Sequence, residues 1–415
     1  MSGPRSLLSA AAVRGASRRM LAFAQAGLLE DWTVNRDRLS ACADFVADVV
    51  RERYPDLQPP FHARWRHFVF AGRDLWSDIA GRARWTDAAS AARAAFDLAI
   101  TSVLLDAGAG AEWRYQDTVS GVDGASGTGL VAARSEGLAL ASLRWFERGG
   151  MSDDPRDPLR ADASALERMD AGAVEEAFQS REGNRLQGAE GRASLLNRLG
   201  AVVRSRPDLF SLGDRPRPGG FFDALARDAS HGEISAARVL ELLLDGLGRV
   251  WPNRPVLDGV SLGDCWMHPA FDGPHDADRY VPLHKLSQWL AYSLLEPLEA
   301  AGFRVVDVEA LTGLAEYRNG GLFVDMGVLI PRDPTAFART HDVSDPFIVG
   351  WRSTTVALLD DIAPLIAERL GVRAGAFPLA RALEGGTWAA GRVIARRLRA
   401  DGSPPFRISS DGTVF

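Results

Sequence analysis

The sequence contains one lysine, Lys285, among 48 basic residues, and the other 47 are arginines. A lysine ammonium is a compact point charge, so this single lysine indicates a position that a planar guanidinium cannot serve. In a helix that opens with Pro282, Lys285 shares a face with Gln288 and Tyr292, and Trp289 lies beside them. This face predicts contacts with a ligand that has an anionic group and a ring. The alternatives are chance survival of one lysine and an ordinary solvated helix face.

A carboxylate, Glu316, follows Lys285 by 31 residues, in the run Glu316-Tyr-Arg318. The next residues, Asn319-Gly-Gly321, are typical of a helix end or a sharp turn. A carboxylate beside such a break can be fixed rigidly and still face a cavity, with a tyrosine and an arginine as neighbours. The alternative is an ordinary surface pair of Glu316 with Arg318, which would contribute little stability.

A third group of polar residues lies in a Gly/Pro-rich loop that begins with Asp264 and Trp266. Further along this loop, the spacing of His268, Asp272 and His275 suits a divalent metal ion. The loop has none of the regular helical spacing that usually holds such ligands, so a polar or substrate-contacting loop is the other interpretation.

A glycine-rich run extends from Asp106 to Tyr115, and Arg134 stands at a later helix start. Trp113 and Tyr115 either stack on a planar ligand group or belong to the core. The run does not match GxGxxG and no strand precedes it, which disfavours a dinucleotide fold. The sequence also lacks a Walker loop.

Apolar residues with a 3.6-residue period predict that helices position these groups. We expect one mainly helical domain over residues 1–415, with loops near 148–160 and 206–220 rather than linkers between modules. A short strand is predicted at 303–308, and an Asp-Gly pair after Phe406 predicts a C-terminal hairpin. The predicted helices cover residues 5–28, 36–52, 87–106, 131–147, 192–204, 234–248, 282–301, 353–370 and 386–399.

Composition excludes several classes of protein. Hydrophobic residues make up 46% and charged residues 25% of the chain, as in ordinary globular proteins. A net charge of −6 argues against a bare nucleic-acid binder, and no apolar run approaches the roughly 20 residues of a membrane span. Two cysteines cannot form a disulfide framework. We therefore expect a cytoplasmic protein without nucleic-acid or membrane partners. The oligomeric state stays open.

Several longer motifs resemble one known family. They are LLDAGAGxxWxYxD, RSEGLALAS, EGRxxLLxRLG, GDCW, PLHKLSQWLAYSLLEPLE, LTGLAEYRNGGLFVDMGVL and FIVGWRSTTVALLD, in order through residues 104–360. The family is the uracil-catabolism family first known from fungi, also widespread in bacteria and long catalogued as a domain of unknown function. The resemblance implies a role in a ring-opening route of pyrimidine breakdown, in which a ribosylurea-type compound appears.

A more remote resemblance concerns mechanism. The lysine helix and the later Glu-Tyr-Arg run are similar to motifs of the queuosine 5′-phosphate N-glycosylase (queuosine salvage) family. That family is mostly helical and distantly like the DNA glycosylases, so the resemblance implies the same fold here. It also implies roles for Lys285, for Glu316 as the catalytic carboxylate and for Arg318. Glu316 replaces an aspartate of that family, which moves the carboxylate by about one methylene.

Together these resemblances imply metal-independent and cofactor-independent hydrolysis of an N-ribosidic bond in a phosphorylated ribosyl substrate. Glu316 would stabilise or attack C1′, and Lys285 would hold the phosphate. The proton for the leaving nitrogen would come from Asp264, Asp325 or water. The alternatives are an amide or urea hydrolase, with a metal held by the histidine loop, and a non-catalytic binding protein. The other expected substrate contacts are Gln288, Trp289, Tyr292, Arg318, Asn319, His284, Trp266, Asp106, Trp113, Tyr115, Arg134 and Asp325.

Overall fold

Helices make up most of the chain in the computed structural model, which describes residues 3–70, 72–106, 108–117, 130–210 and 215–409. The body is mainly α, as predicted. Its helices are α1 (Ala10–Gln25), α2 (Asp37–Arg53), α3 (Leu75–Arg82), α4 (Ala88–Leu104), α5 (Arg134–Glu147), α6 (Ala163–Glu167), α7 (Ala171–Ala177), α8 (Ala189–Ser205), α9 (Pro207–Phe210), α10 (Phe221–Asp228), α11 (Ala236–Leu247), α12 (Lys285–Ala300), α13 (Tyr317–Asp325), α14 (Pro346–Leu370), α15 (Leu379–Ala382) and α16 (Trp388–Leu398).

Strands occur in the described residues only as pairs of short segments. The antiparallel pairs are β1 (Trp32–Val34) with β12 (Leu329–Pro331), β2 (Val69–Phe70) with β3 (Arg73–Asp74), β4 (Tyr115–Asp117) with β5 (Leu130–Ala132), β7 (Val256–Leu257) with β8 (Val260–Ser261), and β9 (Cys265–Met267) with β10 (Tyr280–Pro282). The parallel pairs are β6 (Glu233–Ser235) with β11 (Arg304–Val306), and β13 (Thr340–Asp342) with β14 (Arg407–Ser409). These ribbons tie loops together and do not form a layer of the fold.

Two central helices carry or support the residues singled out above. In α12, Leu286, Leu290 and Leu294 are buried as one stripe, as their four-residue spacing predicts. The 25-residue α14 is buried along most of its length and packs against α1, α2 and α13. Such all-round burial is typical of a helix at the centre of a core.

Glycines allow α13 to lie close to its neighbours. A Cβ atom on Gly320 would stand 2.7 Å from the indole ring of Trp351 in α14. A Cβ on Gly391 of α16 would stand 2.2 Å from the carbonyl oxygen of Arg318. Because neither distance leaves room for a side chain, these glycines fix the position of α13 between α14 and α16.

The nine predicted helices are all present, with ends that differ by a few residues. The predicted strand at 303–308 is also present, as Arg304–Val306. The shorter helices have too few residues to show a clear period, so the sequence does not predict them. They are α3, α6, α7, α9, α10, α13 and α15. None of the helices in the described residues combines the length and the apolarity needed to cross a membrane.

Three local predictions differ from the structure, and part of the third lies outside the described residues. Pro282 lies in β10 and not in the first turn of α12. Asn319-Gly-Gly321 lies inside α13, so the break comes before Tyr317 and not after Arg318. Arg407–Ser409 is a strand but pairs with β13 in parallel, and the rest of the predicted hairpin, residues 410–415, lies outside the described residues. The single domain over 1–415 stays a prediction.

Candidate active site

Lys285 and Glu316 line the same cavity, which has a volume of about 360 Å³. Small-molecule sites typically have volumes of roughly 300–1,000 Å³, so the cavity suits a small metabolite. The residues whose charged, polar or aromatic side chains line it are His62, His67, Asp106, Arg134, Ser135, Lys285, Trp289, Glu316, Tyr317, Arg318, Trp388, Asp401 and Ser403.

The carboxylate of Glu316 caps the N-terminus of α13. Its Oε1 accepts a hydrogen bond from the backbone N–H of Asn319 at 2.6 Å, and its Oε2 accepts one from Arg318 at 2.9 Å. The side chain is only slightly accessible, and the positive end of a helix favours negative charge at this position. The cap fixes the carboxylate in one orientation, while each oxygen retains a second acceptor site.

Lys285 is the first residue of α12, and its Nζ lies 5.7 Å from the centre of the Trp289 ring. Nζ forms no hydrogen bond or ion pair with any residue that the structure describes. Burial lowers the pKa of the Lys285 ammonium below its ordinary value, and the nearby carboxylate of Glu316 opposes this effect. An ammonium without a protein partner in a cavity is available to bind an anionic ligand.

Two arginines add positive charge to the cavity. The guanidinium of Arg318 lies 5.1 Å from the ring centre of Tyr317 and 5.0 Å from that of Trp388. Arg134, which opens α5, donates to the backbone oxygen of Asp401 at 3.3 Å. Neither forms an ion pair within the described part of the chain. Together with Lys285, they form a cationic wall (Arg134, Lys285 and Arg318).

Two histidines and two tryptophans form the aromatic side of the cavity. His62 lies 6.1 Å from Trp289 and 5.3 Å from Trp388, measured between ring centres. His67 contacts the same two rings at 5.7 and 6.2 Å. Nδ1 of His62 is 2.5 Å from Oε2 of the buried Glu384, whereas Nδ1 of His67 is buried without a partner in the described residues.

The loop that leads to Glu316 is held by α12 itself. The side-chain oxygen of Gln288 accepts from the backbone N–H of Thr312 at 3.1 Å, and its amide nitrogen donates to the Thr312 hydroxyl. The hydroxyl of Tyr292 donates to the Thr312 carbonyl at 3.1 Å. One helix therefore carries Lys285 and also holds the segment that carries Glu316.

A buried ion pair ties the same two segments together. Arg352 of α14 makes two hydrogen bonds to Asp264, at 2.8 and 2.7 Å, and its Nε donates to the carbonyl of Ala315 at 2.9 Å. Asp264 also accepts from the backbone N–H of Lys285 at 3.0 Å. Burial opposes the charge of Asp264, but Arg352 outweighs it and holds the pKa of this carboxyl well below its ordinary value.

Comparison with known proteins settles the family. A family model described as "Protein of unknown function (DUF1688)" matches residues 6–415. The chain belongs to this family. Protein urg3 of Schizosaccharomyces pombe is 37% identical over 422 residues, which cover 99% of this chain and 98% of that protein. Uracil catabolism protein 4 of Lachancea kluyveri is 34% identical over 415 residues, which cover 91% and 90%. The resemblance to the uracil-catabolism family is thereby confirmed.

In this member of the DUF1688 family, six of the predicted site residues lie in the cavity. They are Lys285, Trp289, Glu316, Arg318, Asp106 and Arg134. The carboxylate of Asp106 is bound by Nη1 of the buried Arg64 at 2.6 Å, which reduces the negative charge it adds to the cavity.

Other predicted contacts are engaged elsewhere in the fold. Gln288 and Tyr292 hold Thr312, and Asp264 holds Arg352, as described above. Asp325 is bound by both terminal nitrogens of Arg399, at 2.9 and 2.5 Å. Because these carboxylates are paired and lie outside the cavity lining, neither suits the role of proton donor that the sequence analysis gave them.

The remaining predicted contacts belong to the core. Trp113 is fully buried and donates to the backbone oxygen of Phe178 at 2.9 Å, and Tyr115 is buried in β4.

Nε2 of His284 lies 2.9 Å from the backbone oxygen of Leu7. Trp266 donates to Asp264 at 2.8 Å. The buried Asn319 donates to the backbone oxygen of Leu314 at 3.3 Å. These side chains support the site and do not line it.

The histidine loop forms a different cavity, of about 770 Å³, which His268, Asp272 and His275 line. Their polar groups serve local turns: Nδ1 of His268 accepts from the Ala270 N–H, and Asp272 accepts from that of Gly273. Across the described ranges, no three His, Cys, Asp or Glu side chains come together as a metal site requires. No contact of this loop favours the metal-dependent alternative.

The cavity is also lined by residues that the sequence does not predict, His62, His67, Tyr317 and Trp388, and Glu384 is the unpredicted partner of His62. A signal was present, because the run from His62 to His67 holds two of the seven histidines. The spacing does not reveal their role, since their partners stand more than 200 residues away: Trp289 in α12, Trp388 in α16, and Glu384 just before α16.

We expect substitution of Asp264 by asparagine to lower the free energy of unfolding by about 3–5 kcal/mol, because it removes the carboxylate that pairs with the buried Arg352. A matched control is Asp228→Asn, which breaks the exposed pair with Arg238 and should cost less than about 1 kcal/mol. Urea unfolding measures both values. A loss for Asp264→Asn no larger than that of the control would contradict the structural role assigned to this ion pair.

Because the buried His67 is neutral in the folded protein, it makes the free energy of unfolding depend on pH. Burial, assisted by the positive charge of Arg64, lowers the pKa of His67 from 6.5 to about 4. As the pH falls, the imidazole of His67 therefore takes up a proton in the unfolded chain before it does so in the folded protein. Its contribution to the free energy of unfolding is complete above about pH 6.5 and is lost as the pH falls toward about 4. Between about pH 7 and about pH 4.5, the free energy of unfolding of His67→Gln should therefore fall by less than that of the wild type. The exposed His231→Gln should behave as wild type.

Proposed function

We propose that this protein acts in uracil catabolism by hydrolysing the N-ribosidic bond of a ribosylurea 5′-phosphate or a similar nucleotide derivative. The products are urea and ribose phosphate. One observation carries the proposal: a carboxylate fixed by two backbone N–H groups lies in the same cavity as a lysine without a protein partner in the described residues. The name of one relative, Uracil catabolism protein 4, supports the pathway.

The geometry suits cleavage at a sugar C1′ atom. Breaking the C1′–N bond builds positive oxocarbenium charge on the sugar, and a nearby fixed carboxylate stabilises that charge. Glu316 is already oriented by its capping hydrogen bonds, so little reorganisation is needed during the reaction. The same carboxylate can accept a proton from an attacking water, or can attack C1′ itself.

The cationic wall suits the phosphate. Arg318 and Lys285 both line the cavity and have no anionic partner in the described residues, and Arg134 adds a third positive charge. Charge-assisted hydrogen bonds from such groups to a phosphate are among the stronger polar contacts in proteins. A ligand with a phosphate and a neutral planar group matches a cavity whose lining combines cations with aromatic rings.

The test is incubation of the purified full chain with ribosylurea 5′-phosphate, followed by assay of urea and ribose 5-phosphate. We expect both products in equal amounts, with activity retained after treatment with a chelator. Release of ammonia and carbon dioxide with an intact ribosyl group would instead support the amide or urea hydrolase. Tight binding without any product would support a non-catalytic binding protein.

A further inference from the structure

We propose that His62 is the general acid that protonates the leaving urea nitrogen, and that Glu384 positions it. This inference rests on the proposed function and identifies a catalytic group for it. The hydrolysis needs a proton donor, and the structure pairs both Asp264 and Asp325 with arginines outside the cavity lining. His62 lines the cavity.

The contact between His62 and Glu384 determines which ring nitrogen can act. Nδ1 lies 2.5 Å from Oε2 of Glu384, and both side chains are buried. Nε2 has no hydrogen-bond partner in the part of the chain that is described, so it is the nitrogen left for a ligand. A carboxylate at Nδ1 fixes the ring orientation, so Nε2 is the ring atom placed to exchange a proton with a ligand.

The backbone keeps this pair together. Glu384 lies in a π-helical turn, Leu383–Thr387, and such turns are frequent at functional sites. A Cβ atom on Gly385 would stand 2.6 Å from Cβ of Pro59, so the turn packs directly against the segment that leads to His62. The backbone N–H of His62 donates to Ala380, just before the turn, at 3.2 Å.

His67 provides an internal comparison. It contacts the same tryptophans as His62 and lines the same cavity, but its Nδ1 has no partner among the described residues. Burial is the main cause that keeps the His67 ring neutral, and Arg64 adds to it, while Asp106 and Glu384 oppose it at a distance. The two histidines thus share their surroundings, but only His62 has a ring nitrogen in direct contact with a carboxylate, which assigns proton transfer to His62.

The step balances without any further reactant. As the C1′–N bond breaks, its electron pair goes to nitrogen, which takes the proton from Nε2 of His62 and leaves as neutral urea. A water oxygen bonds to C1′ and gives one proton to Glu316. That proton returns to His62 through solvent, so each cycle consumes one water molecule.

The experiment compares two substrates that differ in their need for a proton. Ribosylurea 5′-phosphate has a poor leaving group, whereas 4-nitrophenyl riboside 5′-phosphate releases an anion that is stable without protonation. We expect His62→Gln to lower kcat for ribosylurea by about 10²- to 10⁴-fold and to change kcat for the nitrophenyl substrate only a few-fold. Glu384→Gln should show the same selectivity with a loss of about 10- to 100-fold.

His67→Gln is the matched control, and it should affect both substrates by the same factor. If His62→Gln and Glu384→Gln each lowered kcat by the same factor for both substrates, the general-acid role would be overturned. The proposed hydrolysis of the N-ribosidic bond would still stand. If the His62 variant does not fold, as judged by circular dichroism, the Glu384 variant decides the question. A wild-type protein that cleaves neither substrate would overturn the proposed function and this inference with it.

Discussion

Replacement of Glu316 by glutamine should lower turnover of ribosylurea 5′-phosphate by about 10³-fold or more, with little change in substrate binding. The amide has nearly the shape of the carboxylate but lacks the negative charge that the oxocarbenium ion requires. Because that charge develops mainly in the transition state, kcat should fall and KM should stay close to its original value.

The capping role of Glu316 requires a control, because glutamine can accept only one of the two backbone hydrogen bonds well. Loss of a cap costs about 0.5–2 kcal/mol. Asp170 caps α7 in the same way, through the N–H of Ala173, and lies at the exposed surface. Asp170→Ala removes this cap and should destabilise the protein within that range without changing kcat. Near-normal turnover by a folded Glu316→Gln protein would show that another group supplies the charge.

The periodic pattern of the long helices was sufficient to predict most of the helical framework. Apolar residues every three or four positions identify α12 and its buried stripe because burial of one face dominates the energy of such helices. The short α13 was misjudged. Asn319, Gly320 and Gly321 have poor helix propensity, but close packing of Gly320 on Trp351 and the Glu316 cap outweigh that preference.

The candidate site was predictable only where its members share a helix or a recognisable motif. Lys285 and Trp289 are neighbours on α12, and Glu316 was singled out through its Tyr-Arg neighbours. Gln288 and Tyr292 lie on the same helix, but their helical spacing alone did not show that they bind Thr312 instead of a ligand. Contacts such as these depend on how distant segments pack, and local sequence does not encode that packing.

The pair of His62 and Glu384 illustrates the same limit. The two residues are 322 positions apart, and the contact depends on a π-helical turn that packs against Pro59. No local spacing in a single sequence announces such a pair. The structure therefore adds a candidate proton donor that lines the cavity, where the sequence had suggested Asp264, Asp325 or water.

Lys285→Ala should lower kcat/KM for ribosylurea 5′-phosphate by about 100-fold, and for dephosphorylated ribosylurea by far less. The reason is loss of the one ammonium of the cationic wall. Lys285→Arg keeps the charge but places a larger, planar group in a buried position, so it should recover only part of the activity. Steady-state kinetics of both variants with both substrates gives the comparison.

The uniqueness of Lys285 permits a direct measurement of its environment. Reductive methylation with ¹³C-formaldehyde labels this side chain as the only lysine, and its NMR signal is distinct from that of the terminal amine. We expect a pKa below the ordinary value of 10.5, because the ammonium is buried. Inorganic phosphate should raise that pKa, since a bound anion favours the charged form. The contrary result would be an equal loss of kcat/KM in Lys285→Ala for both substrates, together with a Lys285 pKa that inorganic phosphate does not change. That result would show that Lys285 acts on the neighbouring charge of Glu316. The phosphate would then be bound by Arg134 and Arg318 without Lys285.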